Sequence, residues 1–165
     1  MSKTWYGSLH NRIEEGRNYT GREIREGDDI TMYLWSDRHC YWVTEVIDQK
    51  HIKVKRYYTC ADKEKAHGMG HQEWKYFKDP QKYGEYLGHE QKNIDILKST
   101  NREETWVFRY NKWMRESVLN RLQNPEAYSK RDRDYFAKHG YLKVYSDLTG
   151  KVSFGVREYY YDWEF

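Results

Sequence analysis

From Ile30 onward the chain alternates. Ile30, Met32 and Leu34 interleave with Thr31, Tyr33 and Trp35, the period of two that gives a strand two distinct faces. Ser36-Asp37-Arg38 is a polar break. Tyr41, Val43, Glu45 and Ile47 then alternate with Trp42, Thr44 and Val46, and, after a turn at Asp48-Gln49-Lys50, Ile52, Val54, Arg56 and Tyr58 alternate with Lys53, Lys55 and Tyr57. β-Branched and aromatic residues dominate all three runs, as a pleated, half-buried surface requires. Connections this short cannot serve as parallel crossovers, so the three strands are predicted to form an antiparallel meander.

The remainder is more varied. Residues 5 to 27 carry Trp5, Leu9 and Ile13 at i, i+4, i+8 and read as a short helix or irregular arm, weakened by Gly7. Residues 59 to 73 read as loop, with Gly68 and Gly70 as breakers, and Trp74–Phe77 as a short strand closed by Asp79-Pro80. Residues 81 to 89 read as a further loop, and Ile94 and Ile96 suggest an edge strand. Thr105 to Tyr110 alternates clearly: Trp106, Phe108 and Tyr110 share one side, Val107 and Arg109 the other. Asn124-Pro125-Glu126 supplies a helix start and Lys138, His139 and Gly140 a stop. Leu142 to Tyr145 and Val152 to Tyr160, about a Thr149-Gly150 turn, predict a closing hairpin. The sum is a single domain over 1–165, mainly β within a β-rich α+β class. It is expected to be a small antiparallel curled sheet or SH3-like barrel carrying a helical insertion at about 115–141.

Composition changes this picture in one respect. Leu, Ile, Val and Phe together make up only about a sixth of the chain, which alone would point to disorder. The net charge, however, is only +3, and 17 Tyr and 7 Trp provide large rings that bury area while their polar tips reach water or a partner. A thin, aromatic core is the consequence, with more rings than an interior of this size can hold. No run approaches the roughly 20 apolar residues of a membrane span, and the opening residues lack an apolar signal core, so a cytoplasmic protein is expected. Cys40 and Cys60 are read as reduced thiols.

Thr31-Met-Tyr-Leu-Trp-Ser-Asp-Arg-His39, followed by Val43, Val46 and Lys50-His-Ile-Lys-Val54, resembles a family of small phage and prophage proteins with a TxxxWSDRHxxxVxxV hairpin near the start. Gly150-Lys-Val-Ser-Phe-Gly-Val-Arg157 with Tyr160, Asp162 and Phe165 is similar to that family's ending. Arg109-Tyr-Asn-Lys-Trp113 is similar to its Arg-x-Asn-Gly-x-Trp hairpin, with Lys112 in place of the glycine. The resemblance covers about half the chain, in three islands, and residues 115 to 141 form an extra segment. It implies a compact β fold, a phage origin, residence in a host bacterial cytoplasm and a role in overcoming host defence.

Candidate chemistry concentrates at the Trp35/Asp37/Arg38/His39 tip with Trp42. Arg takes phosphate bidentately, and an indole stacks on a base for roughly 1–3 kcal/mol. The plainer reading outweighs this one: Asp37 and Arg38 form a structural staple, capping the turn and pairing with Glu158 or Asp162. The C-terminal run places Arg157, Tyr159 and Tyr161 among alternating rings, of which one face must lie outside the core. Lys53 and Lys55 share one strand face, as phosphate contacts or as an edge-strand solubility device. Cys60, His67 and His71 have a C-x6-H-x3-H spacing, but Gly68 and Gly70 break the helix that a shared metal would need, and no metal or other cofactor is expected. No phosphate loop, nucleophile elbow or other catalytic signature occurs.

These readings converge on a non-enzymatic phage accessory protein that binds and sequesters a small nucleotide-type ligand, such as a host immune signal, and that forms a homo-oligomer through surplus rings. Two alternatives remain open. One is a protein-interaction inhibitor of a host defence or CRISPR effector acting through the inserted helix. The other is a nucleic-acid-binding SH3-like module, which the +3 charge makes harder.

Overall fold

The computed structural model describes residues 23–33, 37–65, 73–109, 112–139, 152–155 and 157. Among them, 39% lie in strands and 35% in helices, a β-rich α+β fold as the alternation predicts. A six-stranded sheet is built from β1 (Asp29–Tyr33), β2 (Arg38–Asp48), β3 (His51–Arg56), β6 (Glu104–Arg109), β7 (Lys112–Arg115) and β8 (Val152–Phe154). Its order is β7-β6-β3-β2-β1-β8, and every neighbouring pair is antiparallel. A separate two-stranded sheet pairs β4 (Tyr58–Ala61) with β5 (Trp74–Phe77).

The six-stranded sheet curls into half a barrel. Register shifts on β2 between Val43 and Glu45 and between Val46 and Asp48 bend its longest strand, because a bulge adds local twist. The strands at the two ends of the order then approach across the interior, with the rings of Trp113 on β7 and Phe154 on β8 centred 5.4 Å apart. The concave face carries Ile30, Met32, Tyr41, Val43, Ile52, Val54, Trp106 and Val152, all buried. Trp106 is fully buried and meets Tyr41 at 4.9 Å. Its indole N–H donates to Glu104 Oε2 at 2.9 Å, and Arg115 Nε donates to the same oxygen at 2.9 Å, so the ring enters the core with its polar atom satisfied.

Several expectations are corrected. Residues 81 to 100 are not loop and edge strand but two helices, α1 (Pro80–Leu87) and α2 (Gln91–Thr100). Asp79-Pro80 opens α1: the Asp79 side chain accepts from Gln81 N, and Pro80 occupies the first turn, where its missing N–H costs nothing. Gly88 closes it with φ +74°, the left-handed geometry that glycine adopts freely. The Ile94/Ile96 alternation misleads because the spacing that governs is i, i+3: Ile94 is buried and Leu97 half-buried, while Ile96 is 53% exposed.

Asn124-Pro125 opens only one 3-10 turn (Pro125–Ala127). It follows a helix α3 (Glu116–Gln123) and precedes α4 (Lys130–His139), in front of which Ser129 Oγ accepts from Asp132 N. α4 is described up to His139, and Gly140 of the expected stop lies outside the described residues. β3 ends at Arg56 rather than running through Tyr58, and β4 extends into the expected loop. β8 pairs with β1. The expected N-terminal arm before residue 23, the hairpin partner at 142–145 and its turn lie outside the described residues.

The convex face is covered in two places. At the β6–β7 end, α3 lays Leu119, Val118 and Leu122 on Val107 and Met114. At the β1–β2 end, the two-stranded sheet folds over, and Tyr57 makes the corner: its N–H still donates to Cys40 O of β2 at 2.9 Å, while the next residue begins β4. Between the two covers Lys53 and Lys55 stay half-exposed.

Candidate functional site

The corner brings residues distant in sequence into a row of three rings. Trp42 and Tyr57 are centred 4.9 Å apart at 53°, and Tyr57 and Tyr76 are centred 5.9 Å apart, edge to face. Strand alternation explains each position. Trp42 lies on the convex face of β2, in register with Lys55 on β3 and Asp29 on β1. Tyr76 lies on β5 opposite Thr59 of β4, on the face turned toward the larger sheet. Tyr57 is 4% exposed, whereas Trp42 and Tyr76 are half-buried.

Two exposed cations lie over this row. Lys78 Nζ is 5.6 Å from the Trp42 ring centre and 5.9 Å from that of Tyr57. Arg157 Cζ is 4.6 Å from the Tyr76 ring centre and 5.4 Å from that of Tyr57. All four distances fall within cation–π reach. The central ring is pinned at its hydroxyl, which donates to Asp29 Oδ1 at 2.6 Å. Burial, and then this bond to Asp29, raise the Tyr57 hydroxyl's pKa above the ordinary tyrosine range, against the opposing pull of Arg157. Tyr57 therefore stays neutral and fixed between two half-buried neighbours.

The residues singled out from the sequence are distributed unequally. Trp42, Lys55 and Arg157 belong to this surface, and Lys53 shares its face but is bound to Glu45 at 2.6 Å. Arg38 and His39 begin β2, so their side chains leave opposite faces of the sheet. Arg38 is 8% exposed with its guanidinium 5.9 Å from the Tyr33 ring centre, and Asp37 is half-buried just before the strand. Trp35, Tyr159 and Tyr161 lie outside the described residues, as do His67 and His71. Among the described residues, no group of three or more His, Cys, Asp or Glu could hold a metal. The Cys60 thiol is pushed up by burial, which disfavours a nucleophilic role.

Tyr57, Tyr76 and Lys78 were not anticipated. The alternation of Trp74-Lys75-Tyr76-Phe77 does put Tyr76 opposite Phe77 in facing, but no sequence signal tells which face meets another sheet.

A concavity of about 360 Å³ opens at the corner among Arg56, Tyr57, Tyr58, Thr59, Tyr83, Thr100 and Asn101. Its polar groups are engaged within the fold: Tyr58 OH donates to Leu97 O at 3.1 Å and Asn101 Nδ2 to Arg56 O at 2.7 Å. These bonds tie the helical pair α1–α2 to the corner. They make this groove a seam within the fold. Among the described residues no helix is long and apolar enough to cross a membrane. No family model, curated protein or solved structure matches this chain.

Proposed function

We propose that the protein binds and sequesters a small nucleotide-type ligand without transforming it. The observation that carries this reading is the half-buried Trp42 beside the fixed Tyr57, with Lys78 over both rings and Arg157 over Tyr57. A nucleotide joins a flat π-system to a negative phosphate, and a half-exposed indole beside exposed cations meets both needs at once. Lys55, in register with Trp42, adds a third positive charge on the same face. The resemblance of the 31–54 segment to phage proteins supports a setting in a host bacterium, where the ligand would be a host immune signal. Half-exposed rings also favour a second copy of the chain as neighbour, since Tyr and Trp are enriched at such contacts.

The test is calorimetric titration with AMP, paired with native mass spectrometry of protein isolated from bacterial cells. The spectrum reads the subunit count and any retained ligand, which should be recovered chemically intact. Trp42→Ala is expected to weaken binding roughly five- to hundredfold, the range of one lost base stack, and Arg157→Ala to weaken it and flatten its salt dependence. Absence of AMP binding at millimolar concentration, together with no co-purified nucleotide, would refute the reading.

A second reading has one observation in its favour: α4 has no buried residue, and its Phe136 is 43% exposed, which suits a face that blocks a host effector protein. Phe136→Asp separates the two, because it should abolish effector blocking and leave nucleotide binding unchanged.

A further inference from the structure

Lys78 lies over the ring on which a base would stack, and from that placement we infer that it is the residue by which the site separates a nucleotide from its unphosphorylated nucleoside. The inference rests on the nucleotide reading above and deepens it. Lys78 is exposed, and its Nζ is 5.6 Å from the Trp42 ring centre and 5.9 Å from that of Tyr57. It therefore covers the solvent side of a half-buried indole.

The ammonium rests on rings because the carboxylates beside it are engaged elsewhere. Asp79, its neighbour in the chain, accepts from Gln81 N and caps α1, and Asp29 accepts from the Tyr57 hydroxyl. Lys53, by contrast, has Glu45 at 2.6 Å, and Lys75 has Asp62 at 3.7 Å. Among the described residues Lys78 has no such partner. Its backbone is fixed between the end of β5 at Phe77 and the Pro80 start of α1, so the flexible four-carbon stem is what can move.

The two kinds of ligand then meet opposite balances. A nucleoside that stacks on Trp42 has to displace the ammonium, and an exposed cation–π contact is worth a factor of about two to five in affinity. The stack itself is worth about five- to hundredfold, so the base still takes the ring, but at a loss. A nucleotide displaces the same cation and gives it a phosphate to bind, a charge-assisted contact worth about tenfold. The stem swings the ammonium from ring face to ring edge without movement of the backbone. Lys78 thus opposes a bare base and favours a phosphorylated one. Arg157 lies over Tyr57 and Tyr76, so it attracts phosphate without guarding Trp42.

The experiment is calorimetric titration of the intact chain and of Lys78→Ala with adenosine and with AMP, with Arg157→Ala as control. The intact chain is expected to prefer AMP by about tenfold or more. In Lys78→Ala adenosine should bind about two- to fivefold tighter and AMP several-fold more weakly, whereas Arg157→Ala should weaken AMP and leave adenosine unchanged. Lys78→Gln, which keeps much of the stem and loses the charge, should give the same crossed pattern and guards against a disturbance by the truncation. A change of the same sign and factor for both ligands, or no change in either, overturns the role of Lys78 and leaves the nucleotide reading standing. So does adenosine that goes undetected against both the intact chain and the variants while AMP binds. Binding of neither ligand to the intact chain overturns the nucleotide reading as well.

Discussion

Removing one oxygen atom from Tyr57 tests the foundation of the site. Its hydroxyl donates to Asp29 Oδ1 at 2.6 Å, the short range of an O–H···O⁻ bond, and bonds to charged groups contribute about 1.5–3 kcal/mol. Asp29 is half-buried, so water repays part of the loss, and Tyr57→Phe should cost about 1.5–2 kcal/mol at pH 7. In a domain of this size that lowers the melting temperature by roughly 3–8 °C. The pH dependence gives an independent reading. The hydroxyl's folded pKa is raised, so above pH 10 the unfolded chain releases a proton that the folded chain retains. The stabilisation is complete below the unfolded value of about 10 and is lost as pH rises toward the folded one, at up to about 1.4 kcal/mol per pH unit. The phenylalanine variant has no such proton to lose. Urea unfolding at pH 7, 10 and 11 should therefore show the deficit of the variant shrinking to about 0.5 kcal/mol at pH 11. A deficit under about 0.5 kcal/mol at pH 7, or one that stays constant up to pH 11, would sink the argument that Asp29 pins a neutral phenol.

Two further perturbations address the helical pair that braces the corner. A Cβ on Gly84 would lie 2.3 Å from Ile94 Cγ1 and 2.7 Å from Cδ1. Gly84→Ala should therefore lose about 1–2 kcal/mol despite the better helix propensity of alanine, and adding Ile94→Ala should cost less than the two single changes summed. An unchanged or raised melting temperature in Gly84→Ala would contradict the close approach. Asp79→Ala removes the acceptor for Gln81 N and should cost about 1 kcal/mol, whereas Asp79→Ser should recover most of it in the same thermal melts.

The strands were readable because each has two dissimilar faces. In the 30–33 and 52–55 runs, one residue in two is a buried aliphatic or Met and the next is polar or aromatic, and no helix spacing fits. The helices at 80–100 were misread for the opposite reason. Their apolar anchors are few, Ile94 is the only buried side chain with a Cβ in α1 or α2, and a chance Ile94/Ile96 alternation outweighed the caps at Asp79 and Gly88. Of the ring row, Trp42 was legible as a flat ring beside the tip at residues 35–39, Arg157 as part of the aromatic C-terminal run, and Lys55 as one of a one-faced pair. Tyr57 and Tyr76 were not, because their importance depends on the chain leaving one sheet for another at residue 57. That departure is set by packing across elements and leaves no local mark.

The same packing resolves the apparent conflict between a chain poor in aliphatics and a well-filled interior. A ring with a polar tip enters a core most cheaply where the tip finds a partner, and three of the buried rings do so through different devices. Trp106 donates to Glu104, Tyr57 to Asp29, and Tyr128 to Leu122 O at 2.8 Å at the foot of α3. Each device consumes a carboxylate or a helix-end carbonyl, and such acceptors are limited in number. Rings can therefore be buried only as fast as acceptors are placed beneath them. Asp29 is the acceptor on its part of the convex face, and Tyr57 takes it. Trp42 and Tyr76, on either side, then lie half-exposed with Lys78 and Arg157 drawn over them. On this account the half-buried rings follow from how the core is built, and the acceptor at Asp29 decides which ring of the row is buried.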